Sequence, residues 1–385
     1  MSRESQRKRI RQPVRSGLGA RRIALALFIG LPVLASVVSV AQPFAARAGQ
    51  HSDARAPGIR LLSADSSAPY LEAWIYPSAA GQPACDTSSE LAAMAADPIG
   101  VLKPEYFYVS GSGRVIEETA ADGLPCNGYS SANLAEVRPA AQRIYVTVSA
   151  SSPGVAKLLD NPKHMAAGEQ VIESFVAAND LNGVDLDFEP NRWTQTVWTN
   201  YMSFVSAIAA AFQPSGLSVE VDLDAFTTTP WDAERYADVA SAGAHLVVMA
   251  YDDQYNVACS PITPYSWLEA VTSYAMSQVP LNDLTIGIPA YGYYTSNCKK
   301  VADMTDNVAY VTMEEEPGFP TTPSAVEALR DPNSGEIRWT SGNTLYDYVD
   351  STALNDKAQV VEGMGVTDIS VWSLGGQPWF NGNPG

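Results

Sequence analysis

From about residue 70 onward, short runs rich in β-branched and aromatic residues recur along the chain and alternate with segments of helical periodicity. Apolar runs of this length are typical of strands buried on both faces, as in a parallel sheet covered by helices. The sequence predicts eight such strands: Leu71–Tyr76, Val101–Val109, Arg143–Ser149, Gly183–Glu189, Ser218–Ala225, His245–Tyr251, Leu284–Ile288 and Ile369–Leu374.

Between the strands, apolar residues recur at the three- and four-residue spacing of an amphipathic helix. Two such stripes are Val171, Ile172, Phe175 and Val176, and then Val197, Tyr201, Phe204, Ile208 and Phe212, with Gly216 at the expected C-cap. Eight strands that alternate with helices predict an α/β fold, a closed (β/α)8 TIM barrel. A doubly wound sheet is disfavoured because no glycine-rich phosphate loop follows the first strand.

The connection between the seventh and eighth predicted strands, roughly residues 293–368, is too long for a single helix. Its segment Glu336–Trp339 predicts a small hairpin, and the stretch near Leu354–Glu362 predicts a helix. We therefore expect a barrel with a small insertion between strands seven and eight.

The first 48 residues differ from the rest of the chain in charge and hydropathy. They hold nine of the 24 Lys and Arg residues but one of the 42 acids, and an apolar stretch from Ile23 to Ala41 follows Arg21-Arg22. Small residues at Ser39–Ala41 and Ala46–Ala48 fit a cleavage site, so residues 1–48 predict a signal peptide. A retained signal anchor is the alternative, since about 19 apolar residues nearly span a bilayer.

Residues 49–68 predict a linker, and residues 69–385 predict the barrel domain. The protein is then expected to be secreted, or anchored in the membrane facing outside, with membrane contact only if the N-terminal segment is retained. The formal net charge of −18 argues against a nucleic-acid partner, because a phosphate backbone requires a basic surface. We expect a monomer without a cofactor.

Four cysteines follow the predicted signal: Cys85, Cys126, Cys259 and Cys298. An even number in an exported protein predicts two disulfides, for which three pairings exist. Proximity along the chain favours Cys85–Cys126 and Cys259–Cys298. No metal site is expected, because no two cysteines have C-x-x-C spacing and the chain has three histidines.

The fourth predicted strand carries three acids, Asp185, Asp187 and Glu189, at alternate positions. Alternate residues share one face of a strand, so in a barrel these carboxylates point inward, and Glu189 lies at the C-terminal end, where barrel active sites form. A solvent-facing strand or a calcium loop is the alternative, although the spacing lacks the turn of a calcium loop. The next strand repeats the spacing over Glu220–Asp224, which leaves an inward and a solvent-facing orientation open there.

Asn182–Glu189 resembles the D-x-x-D-x-D-x-E signature of glycoside hydrolase family 18, the chitinase family. Val248–Asp252 is similar to the family's M-x-Y-D segment, Ile286–Gly292 to its G-x-P-x-Y-G segment, and Val371–Ser373 to its strand-eight tryptophan segment. The four matches occur in order over most of residues 70–380. Two departures are Asn182 in place of the first Asp, and Ser149–Ser152, which lacks both glycines of S-x-G-G.

The resemblance implies substrate-assisted catalysis, in which the 2-acetamido oxygen of the sugar attacks C1. Glu189 is then the general acid, Asp187 orients the acetamido group, and Asp185 shares a proton with Asp187. Tyr251 donates to the acetamido carbonyl. The implied substrate-binding residues are Trp372, Asp252, Met249, Tyr76, Tyr291 and Ser149, of which Tyr76 and Ser149 are expected to hydrogen-bond Asp185.

These features predict a secreted retaining glycosidase that hydrolyses β-1,4 bonds next to N-acetylglucosamine. Chitin, chitooligosaccharides and the glycan of peptidoglycan all fit, and glycoprotein glycans are a further alternative. The rival hypothesis is a non-catalytic, lectin-like barrel that binds such glycans. The intact acid at Glu189 favours catalysis.

Overall fold

The computed structural model describes residues 70–75, 91–92, 94–95, 98–118, 128–255, 257–296, 300–301, 316–374 and 379–380. The predicted signal segment and linker, Tyr76, Cys85, Cys126 and Cys298 lie outside the described residues. The predictions made for them, including the pairing of Cys259, therefore stay predictions.

Eight of the described strands occur where the apolar runs predict them, with bounds that differ by at most two residues, and the other five lie outside those runs. The described strands are β1 (Tyr70–Ile75), β2 (Ile99–Val109), β3 (Val115–Glu117), β4 (Ala141–Ser151), β5 (Gly183–Glu189), β6 (Ser218–Asp224), β7 (His245–Met249), β8 (Leu284–Pro289), β9 (Gly292–Ser296), β10 (Lys300–Val301), β11 (Ile337–Ser341), β12 (Thr344–Tyr348) and β13 (Asp368–Leu374).

Eight of these strands form a closed parallel barrel, in the order β1-β13-β8-β7-β6-β5-β4-β2, and β2 pairs with β1 to close it. The short strand β3 extends β2 as an antiparallel neighbour. The prediction of a (β/α)8 barrel is thus confirmed. In this architecture the C-terminal ends of the parallel strands share one rim of the barrel.

The described α-helices are α1 (Ser131–Val137), α2 (Gly154–Leu159), α3 (Pro162–Ala178), α4 (Gln195–Phe212), α5 (Tyr236–Ser241), α6 (Tyr265–Gln278), α7 (Pro323–Glu327) and α8 (Ser351–Gly363). They surround the barrel, except α7, whose Val326 packs against the hydrophobic cluster of the insertion. No helix among the described residues is long and apolar enough to cross a membrane.

The helix that follows β5 ends close to the position that Gly216 predicts. Thr194 caps α4 by accepting a hydrogen bond from the Val197 amide at 3.3 Å. Gly216, with φ of 66°, stops the chain after a short 3₁₀ turn, a conformation that glycine adopts without steric cost. Of the apolar stripe predicted on α4, Tyr201, Phe204, Ile208 and Phe212 are buried, and Val197 is partly exposed.

The insertion is larger than the hairpin that the sequence predicts. The strands β11 and β12 do form an antiparallel hairpin over the predicted segment, but β9 and β10 join it in a four-stranded sheet ordered β10-β9-β12-β11. The buried ammonium of Lys357 on α8 lies 2.9 Å from Glu336 Oε1 and 2.8 Å from the Thr263 carbonyl oxygen. This contact fastens the insertion to the barrel.

Candidate active site

The strand β5 places its three acids along one line from the barrel centre to the rim. Asp185 is fully buried, whereas Asp187 and Glu189 are partly exposed. The last of them, Glu189, is the final residue of the strand. A solvent-facing orientation of this strand is thereby excluded.

Asp185 is held by side chains from the neighbouring strands. Its Oδ2 atom accepts hydrogen bonds from the Trp74 indole N–H at 2.9 Å and from the Thr147 hydroxyl at 2.8 Å. The sequence predicted that Ser149 of β4 hydrogen-bonds Asp185, and this prediction was wrong. In the register of β4 and β5, Thr147 lies opposite Asp185 and Ser149 lies opposite Asp187, one step nearer the rim.

Beneath Asp185, a single ammonium group lies among several carboxyl groups. Lys103 Nζ is 2.8 Å from Glu72 Oε2, 2.5 Å from Glu220 Oε2 and 3.8 Å from Asp185 Oδ1. Asp222, the next acid on β6, lies with its Oδ2 atom 3.2 Å from the Trp74 indole nitrogen. Lys103 is entirely buried, as are these carboxyl groups within a few per cent.

Sequence reasoning missed Lys103, Glu72, Trp74 and Thr147. The signal that could have found Lys103 is a lone cation inside an otherwise apolar run, which is costly to bury unless acids surround it. For Glu220 and Asp222 the sequence left the orientation open, and the structure shows that both point inward.

Burial and mutual repulsion control the ionisation of these groups. Burial alone lowers the pKa of Lys103, but the charges of Glu220, Glu72, Asp185 and Asp222 reverse this and raise it well above its ordinary value. Lys103 is therefore a permanent cation at the barrel centre. Burial, aided by the charge of Asp185, raises the pKa of Asp222 well above the ordinary carboxyl range.

Asp187 also has a raised pKa. Burial is the main cause, and the negative charges of Glu189, Glu105 and Asp185 add to it. The Asp187 carboxyl is hydrogen-bonded to that of Glu189, a contact that favours its protonated form. The raised pKa of Asp187 favours a protonated carboxyl next to Glu189, and a proton held at such a place is what general acid catalysis requires.

A cluster of tyrosines borders the acids on the side of β7 and β8. Burial and the charges of Asp222, Asp187 and Glu189 raise the pKa of Tyr251 well above its ordinary value, so its phenol stays a hydrogen-bond donor. Beside it, Asp252 adopts a φ of 72° and accepts hydrogen bonds from the hydroxyls of Tyr291 and Tyr293. Tyr293 lies one residue beyond the predicted segment and was missed.

Trp372 of β13 lies partly exposed beside the buried Trp74. Their ring centroids are 5.6 Å apart in an edge-to-face arrangement. The Ala290 amide donates to the Trp372 carbonyl at 2.7 Å, which ties the ends of β8 and β13 together. Met249 is the last residue of β7 and is also partly exposed.

The loops that follow β5 and β6 are fastened to each other next to Glu189. The Trp193 amide donates to Asp232 Oδ2 at 3.2 Å, and the Ala233 amide donates to the Trp193 carbonyl at 3.1 Å. On these loops the Arg192 guanidinium lies 4.9 Å from the ring centroid of Trp231, whose exposed fraction is 57%. An exposed indole at the barrel rim offers an apolar face against which a sugar ring can pack.

No group of His, Cys, Asp and Glu side chains in the described part of the chain is arranged to hold a metal ion. The buried acids are balanced by Lys103 instead. The site therefore has components that acid catalysis uses: a carboxyl with a raised pKa next to Glu189 at the end of the strand, and a phenol donor beside them.

Comparison with known proteins agrees with this chemistry. The family model described as Glycosyl hydrolases family 18 matches residues 149–377, which include every described residue of the predicted site. "Probable di-N-acetylchitobiase 2" of Dictyostelium discoideum is 22% identical over 231 residues, which are 50% of this chain and 60% of that protein. The chain thus spans less than two thirds of the length of that relative.

Solved structures share the barrel. A chitinase from Chromobacterium violaceum superimposes with a TM-score of 0.63 at 18% identity, covering 80% of this chain and 95% of that one. The spore cortex-lytic enzyme SleL of Bacillus megaterium does so with a TM-score of 0.61 at 14% identity, covering 81% of this chain and 71% of that one. With the family match over more than half of the chain, this protein belongs to family 18 of the glycosyl hydrolases.

Proposed function

We propose that the protein hydrolyses β-1,4 bonds next to N-acetylglucosamine, with retention of configuration and with the substrate's acetamido group as the nucleophile. The observation that carries this proposal is the row of acids on one face of β5, with Asp185 buried inside the barrel, Asp187 next along the strand, and Glu189 at the C-terminal end of the strand. The names of the chitobiase and chitinase relatives support a substrate of this class.

In this mechanism Glu189 carries a proton when the glycosidic bond breaks. The acetamido oxygen forms a bond to C1, the bond between C1 and the glycosidic oxygen breaks, and that oxygen takes the proton from Glu189. Asp187 is left as the anion that accepts the acetamido N–H and stabilises the cationic oxazolinium. Water then attacks C1, the bond between C1 and the acetamido oxygen breaks, and a proton of the water passes to Glu189, so the configuration at C1 is retained.

Tyr251 and Trp372 complete the site. The Tyr251 phenol donates to the acetamido carbonyl oxygen and holds it against C1, a role that its raised pKa supports because the phenol keeps its proton. Trp372 offers its ring to the apolar face of the sugar. We assign Asp252, Met249 and Tyr291 to the wall of the sugar pocket.

We further propose that the protein acts outside the cell, released by cleavage of residues 1–48 or held by them as an anchor. The basic head, apolar stretch and small-residue exit of this segment support export. Pairing of Cys85 with Cys126 and of Cys259 with Cys298 belongs to the same proposal. Peptide mapping of the secreted protein under non-reducing conditions tests the export and the pairing together.

The test of the activity compares the parent protein with Glu189→Gln on N-acetylglucosamine oligomers and on peptidoglycan strands. We expect the parent to release shorter products of retained anomeric configuration, seen by mass spectrometry and by NMR immediately after cleavage. The variant should lose turnover by about 10²–10⁴-fold, as expected when a general acid is removed. Its affinity for the oligomers should change little.

Two results would contradict the proposal. Products of inverted configuration would exclude the acetamido nucleophile. Tight binding of oligomers without cleavage of either substrate by the parent would instead favour the lectin-like alternative.

A further inference from the structure

The loop that follows β7 carries Tyr251, and hydrogen bonds join the two ends of this loop. The Thr263 hydroxyl donates to the Ala250 carbonyl oxygen at 3.1 Å. The Asp253 amide donates to the Ile262 carbonyl oxygen at 3.0 Å. One contact lies one residue before Tyr251 and the other two residues after it, so the returning segment at residues 262–263 fixes the backbone on both sides of this phenol.

The residue after Tyr251 has an unfavourable backbone conformation. Asp252 has a φ of 72°, in the left-handed region that is uncommon for a residue with a side chain. Such a conformation persists only where the surrounding structure holds it. The hydroxyls of Tyr291 and Tyr293 hold the carboxyl of Asp252, and the returning segment holds the backbone on either side. If the backbone relaxed here, the adjoining Tyr251 would be displaced.

A carboxyl of the insertion holds the returning segment in turn. Glu336, the residue before β11, is fully buried. Its Oε2 atom accepts a hydrogen bond from the Ile262 amide at 2.8 Å, and its Oε1 atom accepts one from the Thr263 amide, also at 2.8 Å. Lys357 Nζ lies 2.9 Å from Oε1 and 2.8 Å from the Thr263 carbonyl oxygen. Because each carboxyl oxygen takes one amide, Glu336 fixes the orientation of two successive peptide groups.

The insertion reaches the same loop at further points. Arg338 of β11 donates from Nη2 to the Cys259 carbonyl oxygen at 2.7 Å, and from Nε to Asp347 Oδ2 of β12 at 2.9 Å. The Tyr265 amide, at the start of α6, donates to the Asn333 carbonyl oxygen at 2.9 Å. The returning part of the loop is therefore fastened to the four-stranded sheet of the insertion and to the turn before it.

We propose that Glu336 is a positioning residue for Tyr251, which acts through Thr263 to hold the loop after β7 in the conformation that presents the phenol to the substrate's acetamido carbonyl. The insertion then supports the catalytic centre, and the Thr263 hydroxyl is the link between the two. The inference rests on the proposed role of Tyr251, and it adds the residues that place its phenol.

Thr263→Val removes the link and leaves the rest of the arrangement in place. A methyl group replaces the hydroxyl, so the contact with the Ala250 carbonyl is lost while both amides of the segment still reach Glu336. Thr263→Ser restores the hydroxyl. Thr272→Val is the matched control, because Thr272 on α6 is also fully buried and its hydroxyl has no hydrogen-bond partner among the described residues.

The experiment measures kcat and KM for these variants on whichever N-acetylglucosamine oligomer or peptidoglycan strand the parent cleaves. In Thr263→Val we expect kcat to fall about tenfold or more, since a small misplacement of the group that holds the nucleophile has an effect of this size. Thr263→Ser and Thr272→Val should keep the parent's kcat. Parent turnover in Thr263→Val, or an equal loss in Thr272→Val, would overturn the proposal.

A double-mutant cycle separates the placement of Tyr251 from a general loss of stability. Glu336→Gln keeps the size of the side chain but replaces one acceptor oxygen with an amide donor. In the Tyr251→Phe background the phenol is already absent, so Glu336→Gln and Thr263→Val should each lower kcat by a much smaller factor than in the parent. Equal factors in the two backgrounds would contradict the proposal. If Glu336→Gln does not fold, the cycle with Thr263→Val decides.

A readout without substrate separates this inference from the proposed activity. With tyrosines labelled with ¹³C at Cζ, the Tyr251 signal is assigned by its loss in Tyr251→Phe. It should shift in Thr263→Val, return to the parent's position in Thr263→Ser, and stay there in Thr272→Val. An unmoved signal in Thr263→Val contradicts the proposal. If the parent cleaves neither substrate, the proposed function fails, and this comparison still decides whether the insertion positions Tyr251.

Discussion

Trp74 contacts three residues of the site although it lies outside the motifs that the sequence reveals. Its indole N–H lies 2.9 Å from Asp185 Oδ2 and 3.2 Å from Asp222 Oδ2, and its ring packs edge-to-face against Trp372. One side chain therefore orients the inner acid and packs against Trp372, the residue that we propose as the support for the sugar ring. Because it comes from β1, before the signature strand, sequence spacing does not connect it with the acids.

We predict that Trp74→Phe keeps the packing but lowers both stability and turnover. A buried carboxyl oxygen that loses its donor should reduce the free energy of unfolding by about 1–3 kcal/mol, and kcat falls by about tenfold if the same loss is felt in the transition state. Urea unfolding and oligomer hydrolysis measure the two effects.

Trp198→Phe is the control for this change. Trp198 is also buried, and its indole N–H donates to Asp238 Oδ2 at 2.7 Å, away from the acids. The Trp198→Phe variant should lose about as much stability as Trp74→Phe, and its kcat should stay unchanged. An equal loss of kcat in both variants would assign the effect of Trp74 to general loosening of the fold.

At the scale of the elements, the pairing of β5 with β6 aligns the two rows of acids. Asp185 lies opposite Glu220 and Asp187 opposite Asp222 in this register. The pairing is close at its beginning, where a Cβ atom on Gly183 would lie 2.4 Å from the Ser218 carbonyl oxygen. The glycine of the signature thus has a packing role, because only a residue without a side chain fits there.

We predict that Gly183→Ala lowers the free energy of unfolding by about 1–3 kcal/mol, the usual cost of overpacking, and that it also lowers kcat because the rows of acids shift. Gly363→Ala is the matched control, since no atom lies within 4 Å of its added Cβ at the end of α8. It should leave stability unchanged or raise it slightly. Thermal unfolding of the two variants gives the comparison, and equal effects would refute the packing role.

At the scale of the whole molecule, the buried acids make folding depend on pH. Burial raises the pKa values of Glu72, Asp187, Glu220 and Asp222 above their ordinary range. The folded state therefore binds more protons than the unfolded chain between the ordinary carboxyl pKa, about 4, and the raised values. Their contribution to stability is complete below that window and is lost as the pH rises through it.

We predict that the free energy of unfolding falls between pH 5 and pH 8, by up to about 1.4 kcal/mol per pH unit for each acid that titrates in that range. Urea unfolding at the two pH values measures the slope. Asp222→Asn, which cannot ionise, should make the slope smaller. A stability that rises over this interval would show that the buried acids are already ionised in the folded protein at pH 5.

The insertion shows where prediction from the sequence stops. The strands β11 and β12 are joined by a two-residue turn, so their pairing is local and the sequence predicts it. The strand β9 pairs with β12 across about fifty residues. Two strands so far apart in the chain carry no sequence pattern that shows they pair with each other, so the sequence does not predict this pairing.

The sequence by itself determined the eight barrel strands and the line of acids on β5, because strand periodicity and inward orientation are local properties of consecutive residues. It also determined the family, since the motifs are contiguous. The tertiary structure alone decided that Lys103 and Glu72 lie beneath Asp185, that Thr147 rather than Ser149 holds it, and that Glu220 and Asp222 point inward. Barrel closure brings β1 and β2 against β5 and β6, and such contacts depend on register and strand order, which no single segment encodes.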